Sequence, residues 1–212
     1  MPRDPVKTAR RTALRAHRRE VASTRDRAAD DRALAHHVSR LVEDLGLGPG
    51  AVVTSYAAVP GEPPTAALNA ALAAHGIRVL LPITLADLDL DWHDAADPGA
   101  TPLGKDAVHL ADLVLAPGLA VDPAGTRLGQ GGGCYDKSLP RRRAGAPVVL
   151  VLHPEELLGH DDEPLPREPH DQPVDAVVTA DGLTDLGLSP WRRTPPARGS
   201  APPGRSPARR PR

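Results

Sequence analysis

The residues best suited to chemistry lie in one stretch, Pro117 to Leu139, reading PGLAVDPAGTRLGQGGGCYDKSL. It holds Arg127, glycines at 129, 131, 132 and 133, then Tyr135 and Asp136. Glycines at that density let a backbone take positive φ and approach a ligand with no Cβ in the way. An apolar strand (Leu113 to Ala116) precedes them, and a helix over 137–143 is expected to follow. Backbone N–H groups at the mouth of a helix make an anion site. Arg127 adds a planar fork that matches phosphate oxygens, and Asp136 offers a hard oxygen ligand to a phosphate-bound magnesium ion. The chemistry indicated is phosphate binding. A glycine cluster alone is most often a surface turn; the order strand, arginine, glycines, Tyr-Asp, helix is what argues for a cradle. Two familiar phosphate motifs are excluded. No Lys-Ser or Lys-Thr completes a GxxxxGK[ST] loop, and a GxGxxG starting at Gly129 meets Cys134 at its last position.

The elements that must position this stretch follow from periodicity. A basic helix is expected over 5–22, with Lys7, Arg11 and Arg15 around a thin apolar line of Ala13, Leu14 and Val21. Ser23 or Thr24 should cap a second helix, in which Leu34, Val38, Leu41, Val42 and Leu45 recur at helical spacing until Gly46. A third opens at Thr65 and runs to Ala74. Strands are expected at 51–56, at 77–81 (ended by Pro82), at 87–92, where Leu88, Leu90 and Trp92 alternate with aspartates, and at 113–116, 147–152 and 174–179. Such alternation predicts a layered αβα, Rossmann-like fold with a largely parallel sheet. One domain is expected over 1–188, with N-terminal helices in 1–46 and a sheet core in 51–185, and ligand belongs at the carboxyl ends of the strands. Two acids have open roles. Glu62 either favours a helix N-terminus through the dipole or accepts hydrogen bonds from a ligand. His170-Asp171 is either a polar turn or, with Asp136, part of a magnesium site beside a phosphate.

Composition excludes several classes. Phe is absent from the 212 residues and only two Trp and two Tyr occur, so the core must be aliphatic. The single Cys134 cannot form an internal disulfide, which fits a reducing compartment. There is no apolar run of about 20 residues and no apolar stretch near the N-terminus, so a cytoplasmic protein is expected. Adjacent His36 and His37 and one cysteine do not make a zinc site. No Gly-x-Ser-x-Gly elbow argues for a hydrolase. Residues 191–212 carry seven Arg and no acid, so the rest of the chain is net −8 against −1 for the whole. That Pro/Arg-rich tail, 189–212, is expected to be disordered.

The run DLVLAPGLAVDPAGTRLGQGGGCYDKSL resembles, over its whole length, the signature of the 5-formyltetrahydrofolate cyclo-ligase (methenyltetrahydrofolate synthetase) family. RTALR, from Arg11 to Arg15, is similar to the family's N-terminal K-x-x-L-R element, whose Lys and Arg contact ATP. Arg11 stands where the family has Lys, and Lys7 lies one turn earlier on roughly the same face. Tyr56 followed by Glu62-x-x-Thr65 resembles the folate-binding element, with Glu62 accepting from the pterin N–H groups. The segment from His170 to Thr179 resembles a late element whose aspartate, here Asp171, helps hold magnesium.

The resemblance covers roughly residues 7–185 and implies ATP- and magnesium-dependent conversion of 5-formyltetrahydrofolate to 5,10-methenyltetrahydrofolate. It implies ATP contacts from Lys7, Arg11, Arg15, Arg127, Leu128, Gly129, Gln130, Gly131, Gly132, Gly133, Cys134 and Tyr135. Folate contacts would come from Tyr56, Glu62 and residues 131–134, and Asp136 and Asp171 would hold Mg2+. Arg127 and Tyr135 would stand at the reacting groups. Reduced folate and ATP are the implied partners of a monomer, with no membrane and no specific nucleic acid. Three departures stand out. The family's Gly-Ile-x-Glu-Pro segment is absent between Ala95 and Val108, which predicts a remodelled part of the cleft. Cys134 replaces the first of two tyrosines, and Lys137 replaces an arginine. Cys134 and Lys137, together with Arg11, keep open an alternative: a catalytically weakened folate- or nucleotide-binding member whose basic tail touches nucleic acid.

Overall fold

The structure is a computed structural model and describes residues 4–169 and 171–188. The tail 189–212 and His170 lie outside the described residues. Helix α1 (Pro5–Thr24) begins where the Asp4 carboxylate accepts from the Val6 N–H with Pro5 in the first turn. Its buried residues are Lys7, Leu14, Arg18 and Val21, a single stripe in which two of four positions are cationic. Helix α2 (Arg27–Asp44) is capped by Asp26, which accepts from the N–H groups of Ala28 and Ala29. The expected caps, Ser23 and Thr24, instead lie in the last turn of α1, their hydroxyls donating back to the carbonyls of Glu20 and Val21. Nothing stops α1 before Arg25 turns extended, so the start of α2 falls to the next side-chain acceptor, Asp26.

The chain continues through β1 (Val52–Thr54), α3 (Ala66–Ala74), β2 (Arg78–Thr84), β3 (Leu90–Asp94), a 3-10 turn (Lys105–Leu110) and β4 (Leu113–Pro117). Then come β5 (Ala120–Val121), β6 (Arg127–Leu128), α4 (Cys134–Ser138), β7 (Val148–Val151), β8 (Ala176–Thr179) and β9 (Gly182–Asp185). Seven strands form one sheet in the order β3-β2-β1-β4-β7-β8-β9, while β5 and β6 form a separate hairpin. The inner five are parallel, and β3 and β9 pair antiparallel at the two edges. This is the expected mostly parallel α/β sheet in a single domain, with both edges turned by hairpins.

Alternation along the inner strands sends side chains to two faces. Val53, Val79, Leu113, Leu115, Val149, Val151, Ala176 and Val178 pack with Leu34, Val38, Leu41, Val42, Leu68 and Leu72 of α2 and α3. Leu80, Val114, Ala116, Val148, Leu150 and Val177 pack with Trp92, Val108, Tyr135 and Leu139 on the other face. A third cluster joins Leu14 of α1 to Leu119, Ala120, Leu128 and Leu165, so α1 sits on the β5–β6 hairpin. Trp92 is fully buried, in the core.

Three local expectations fail for identifiable reasons. Pro82 does not end β2, which runs on to Thr84 and pairs Pro82 opposite Trp92. The Ala95 N–H donates to Val79 and the Leu85 N–H to Asp89, which puts Pro82 at a non-hydrogen-bonded position facing away from β3. On its other side the parallel ladder ends with the Ser55 N–H donating to the Leu80 carbonyl, and Pro82 has no N–H to carry it on to Ser55, so the proline closes the pairing with β1 but not with β3. The strand expected over 87–92 begins only at Leu90, because Leu88 takes φ 62 in the hairpin turn. The helix expected over 137–143 is instead five residues of α4 followed by a 3-10 turn, Leu139–Arg141. Pro140 has no N–H to bond to Asp136, so the ladder stops there.

Candidate active site

Every inner strand that carries a site residue delivers it at its carboxyl end. Tyr56 and Ala57 follow β1, Pro117 and Gly118 close β4, and Pro82, Thr84 and Leu90 come from the β2–β3 hairpin. With Lys7 and Arg11 of α1 and the whole run 127–136, they line one cleft of about 440 Å3. The structure thus gathers Lys7, Arg11, Tyr56, Glu62, Arg127, the 128–135 loop, Asp136 and Asp171 around one cavity. Arg15 is the exception among the expected residues. It sits at the rim, donating to the Gln130 side-chain oxygen at 3.0 Å and to the Gln130 carbonyl at 2.5 Å.

The phosphate-type wall is built by α1 gripping the glycine loop. Arg11 Nε donates to the Gly129 carbonyl at 3.1 Å. Gly131 takes φ +99, and a Cβ there would lie 3.3 Å from Arg11 Nε, so only glycine allows this close approach. The sequence anticipated an anion site at a helix mouth, but α4 is too short to carry much dipole, and the fixed charges must come from side chains. Arg127 supplies one, 8% exposed, with Nη2 2.5 Å from Asp136 Oδ1. Its guanidinium also lies 5.9 Å from the centre of the Tyr135 ring. Lys7 supplies another, its Nζ 2.6 Å from both Glu168 and Asp171. Burial works against that ammonium, but the hydrogen bonds from Asp171 and Glu168 outweigh it and hold the Lys7 pKa above its ordinary value. Glu168 had no local signal in the sequence; only the fold brings it to Lys7.

The opposite wall is drier. Glu62 is 7% exposed, and one carboxylate oxygen accepts from the Val59 N–H at 3.2 Å. It does not cap α3: Thr65 occupies that position, its hydroxyl donating to the Tyr56 carbonyl. Burial raises the Glu62 pKa, with the Val59 N–H and Arg18 pulling against it. Burial likewise raises the phenols of Tyr56 and Tyr135, which are therefore neutral donors near pH 7. The Tyr135 hydroxyl is buried with no hydrogen-bond partner among the described residues, and its ring stands edge-on to Trp92 at 6.4 Å. Cys134 is a half-buried free thiol lining the cleft and packed against the core beneath it.

No residue of 95–110 lines the cleft. The divergent segment instead packs its 3-10 turn in the cluster that holds Trp92 and Leu139. Among the described residues no group of three or more His, Cys, Asp or Glu could hold a metal unaided, and no helix is long and apolar enough to cross a membrane.

Residues 3–180 match the model of the 5-formyltetrahydrofolate cyclo-ligase family. The chain is 37% identical over 147 residues to a 5-formyltetrahydrofolate cyclo-ligase from Mycolicibacterium smegmatis, covering 61% of this chain and 74% of that one. Its fold is similar to that of a 5,10-methenyltetrahydrofolate synthetase from Mycoplasma pneumoniae, with a TM-score of 0.65 at 16% identity over 80% of this chain and 98% of that one. The corresponding synthetase from Aquifex aeolicus superposes with a TM-score of 0.60 at 22% identity, over 83% and 92% of the two chains.

Proposed function

Since the chain belongs to the 5-formyltetrahydrofolate cyclo-ligase family and is an enzyme of that family, we propose that it converts 5-formyltetrahydrofolate and ATP to 5,10-methenyltetrahydrofolate, ADP and phosphate. The observation that carries this reading is the meeting, in one cleft, of the Arg127–Asp136 loop and the Tyr56–Glu62 wall. One wall offers cations and a glycine backbone to phosphates, the other an acceptor-only carboxylate to a pterin.

The formyl oxygen on nitrogen 5 takes the γ-phosphoryl group as its bond to the β-phosphate oxygen breaks and ADP leaves. Nitrogen 10 then attacks the formyl carbon and loses its proton. The carbon–oxygen bond breaks with phosphate as leaving group, and the nitrogen 5 lone pair completes the methenyl bridge. Such a reaction asks mainly for positioning and charge neutralisation. Arg127, Arg11 and Lys7 would neutralise the phosphates, with Arg15 at the rim and residues 128–135 along the triphosphate. Glu62 would accept from the pterin amino and ring N–H groups. The Tyr135 hydroxyl, unpartnered in the cleft, would donate to the formyl group or its phosphorylated form.

The residues present fit magnesium. Three cationic side chains line the cleft against five anionic ones (Asp4, Glu62, Asp136, Glu168 and Asp171), so a bare triphosphate would meet net repulsion. Asp136 and Asp171 would hold the ion by hard oxygen ligands, completed by phosphate oxygens and water. When bound it would neutralise charge on the phosphates. Folate, ATP and a single cytoplasmic chain suffice for this reading.

The test is an absorbance assay with purified protein, 5-formyltetrahydrofolate, ATP and Mg2+. The methenyl chromophore should grow in only when ATP and Mg2+ are both present. Tight binding of both substrates with a flat trace would leave a binding protein whose chemistry is lost, and no binding of either would overturn the reading.

A further inference from the structure

The loop that carries Glu62 is closed on itself by the Glu62 N–H to the Val59 carbonyl and by the Ala58 N–H to the Thr65 hydroxyl, with few ties to the rest of the fold. Pro60, Pro63 and Pro64 lack N–H groups, and its outer side is open, Val59 being 54% exposed. Behind it lies a second cavity of about 380 Å3, with Pro60, Gly61 and Pro64 on one side and Arg27 and His153 on the other. Two carbonyls are the loop's handles across that gap. The Glu62 carbonyl accepts from Arg27 Nη1 at 2.8 Å, and the Gly61 carbonyl lies 3.1 Å from His153 Nε2.

His153 is itself tied down. It follows β7 directly and is 4% exposed, and its backbone N–H donates to Glu156 Oε2 at 3.0 Å. Glu156 is 1% exposed and takes a two-pronged contact from Arg18, at 2.5 and 2.7 Å. Arg18 in turn donates to the carbonyl of Gly118, which lines the cleft beside Arg127. Buried ion pairs contribute little net stability against apolar replacements, so the positions this one fixes matter more than its energy.

We propose that Arg18, Glu156 and His153 form one buried positioning network that fixes the Glu62 loop relative to Gly118, and so sets the affinity for the reduced folate. None of the three lines the cleft. His153 is the step at which the network reaches the folate wall alone, since Arg18 also serves the β4 end. Without this tether the loop keeps only the Arg27 contact at the Glu62 carbonyl, and its Gly61 end can shift into the cavity behind it. The identity of the ligand rests on the cyclo-ligase reading; the tether itself does not.

The experiment compares wild type with His153→Ala and His153→Gln, the latter keeping an amide N–H that can reach the Gly61 carbonyl. In His153→Ala the KM for 5-formyltetrahydrofolate should rise at least about tenfold, while kcat and the KM for ATP stay within about threefold. His153→Gln should recover most of the loss. Hydrogen exchange on the ligand-free chains should be faster at the Ala57, Ala58, Val59, Gly61 and Glu62 amides in His153→Ala and return toward wild type in His153→Gln. Unchanged exchange in that loop, equal rises in both KM values, or a glutamine variant no better than alanine would each overturn the network. If wild type forms no methenyl product, the cyclo-ligase reading falls, and the exchange comparison still decides whether the loop is tethered.

Discussion

On the phosphate wall, the cleft cations are already engaged: Arg127 with Asp136, Lys7 with Asp171 and Glu168, Arg11 with the Gly129 carbonyl. Across the cleft, Glu62 has its carboxylate kept from water with a single long backbone donor, and the Tyr135 hydroxyl has none among the described residues. The first wall is ordered by contacts that a bound phosphate would have to exchange. The second holds polar groups that a ligand would satisfy, and leaving them buried and underbonded costs stability in the free protein. A wall of exchangeable ion pairs suits ligands that bring their own charge and counter-ion. A wall of waiting acceptors and donors suits a flat heterocycle recognised by its edge.

The sharpest way to break this contrast is Arg127→Ala. Turnover should fall on the order of a hundredfold, the scale for losing one preorganised charge-stabilising donor, with the fold retained but melting lower, because Asp136 loses its buried partner. Near-normal turnover would remove Arg127 from the chemistry and leave the phosphates to α1.

Glu62→Gln should act on the other wall. The KM for folate is expected to rise about tenfold to a hundredfold, the range for a hydrogen bond to a charged group. Stability should move the opposite way. Burial raises the Glu62 pKa in the fold, so ionising it at neutral pH disfavours the folded state, and that penalty disappears as pH falls below the ordinary carboxylate value. The glutamine variant should therefore melt higher than wild type near pH 7, with the difference shrinking in acid. Folate affinity in wild type should weaken as pH falls through the raised pKa, and the variant should lack that limb.

Gly131→Ala should have a smaller effect, confined to the phosphate wall. A Cβ at φ +99 is strained by about 1–3 kcal/mol and presses on Arg11. The KM for ATP should rise about fivefold, a shift of about 1 kcal/mol. The smallest effect belongs to the hairpin beside the cleft. Arg141 hydrogen-bonds Asp89 and holds its pKa down to about 2, with burial opposing. Asp89→Asn should lower stability by about 1 kcal/mol near neutral pH, read from the denaturant midpoint. In wild type that contribution should persist above the ordinary aspartate pKa and be lost as pH falls toward 2.

The phosphate wall was legible in the sequence because its parts are neighbours along the chain. Arg127, the glycines and Asp136 span ten positions, and any fold must keep them together. Lys7 and Arg11 could be placed on one helix face by spacing alone. Glu62 was named with two roles, and the fold adds that it is buried in the cleft wall, three residues ahead of the Thr65 cap. What could not be read was contact across the chain: Glu168 with Lys7, Glu156 with Arg18, His153 with the Gly61 carbonyl. These are 161, 138 and 92 residues apart. Pro82 misled because β2 keeps its antiparallel pairing to β3, in which position 82 needs no N–H, and the proline ends only the parallel ladder to β1. Local chemistry is written locally; its supports are written in the topology.

The most direct test of the two-wall account is to titrate each ligand separately into Arg127→Ala and Glu62→Gln by calorimetry. Arg127→Ala should lose affinity for ATP with Mg2+ and keep its affinity for 5-formyltetrahydrofolate, while Glu62→Gln should do the reverse. Both variants losing both ligands equally, or Arg127→Ala losing folate while ATP binding is unchanged, would contradict it.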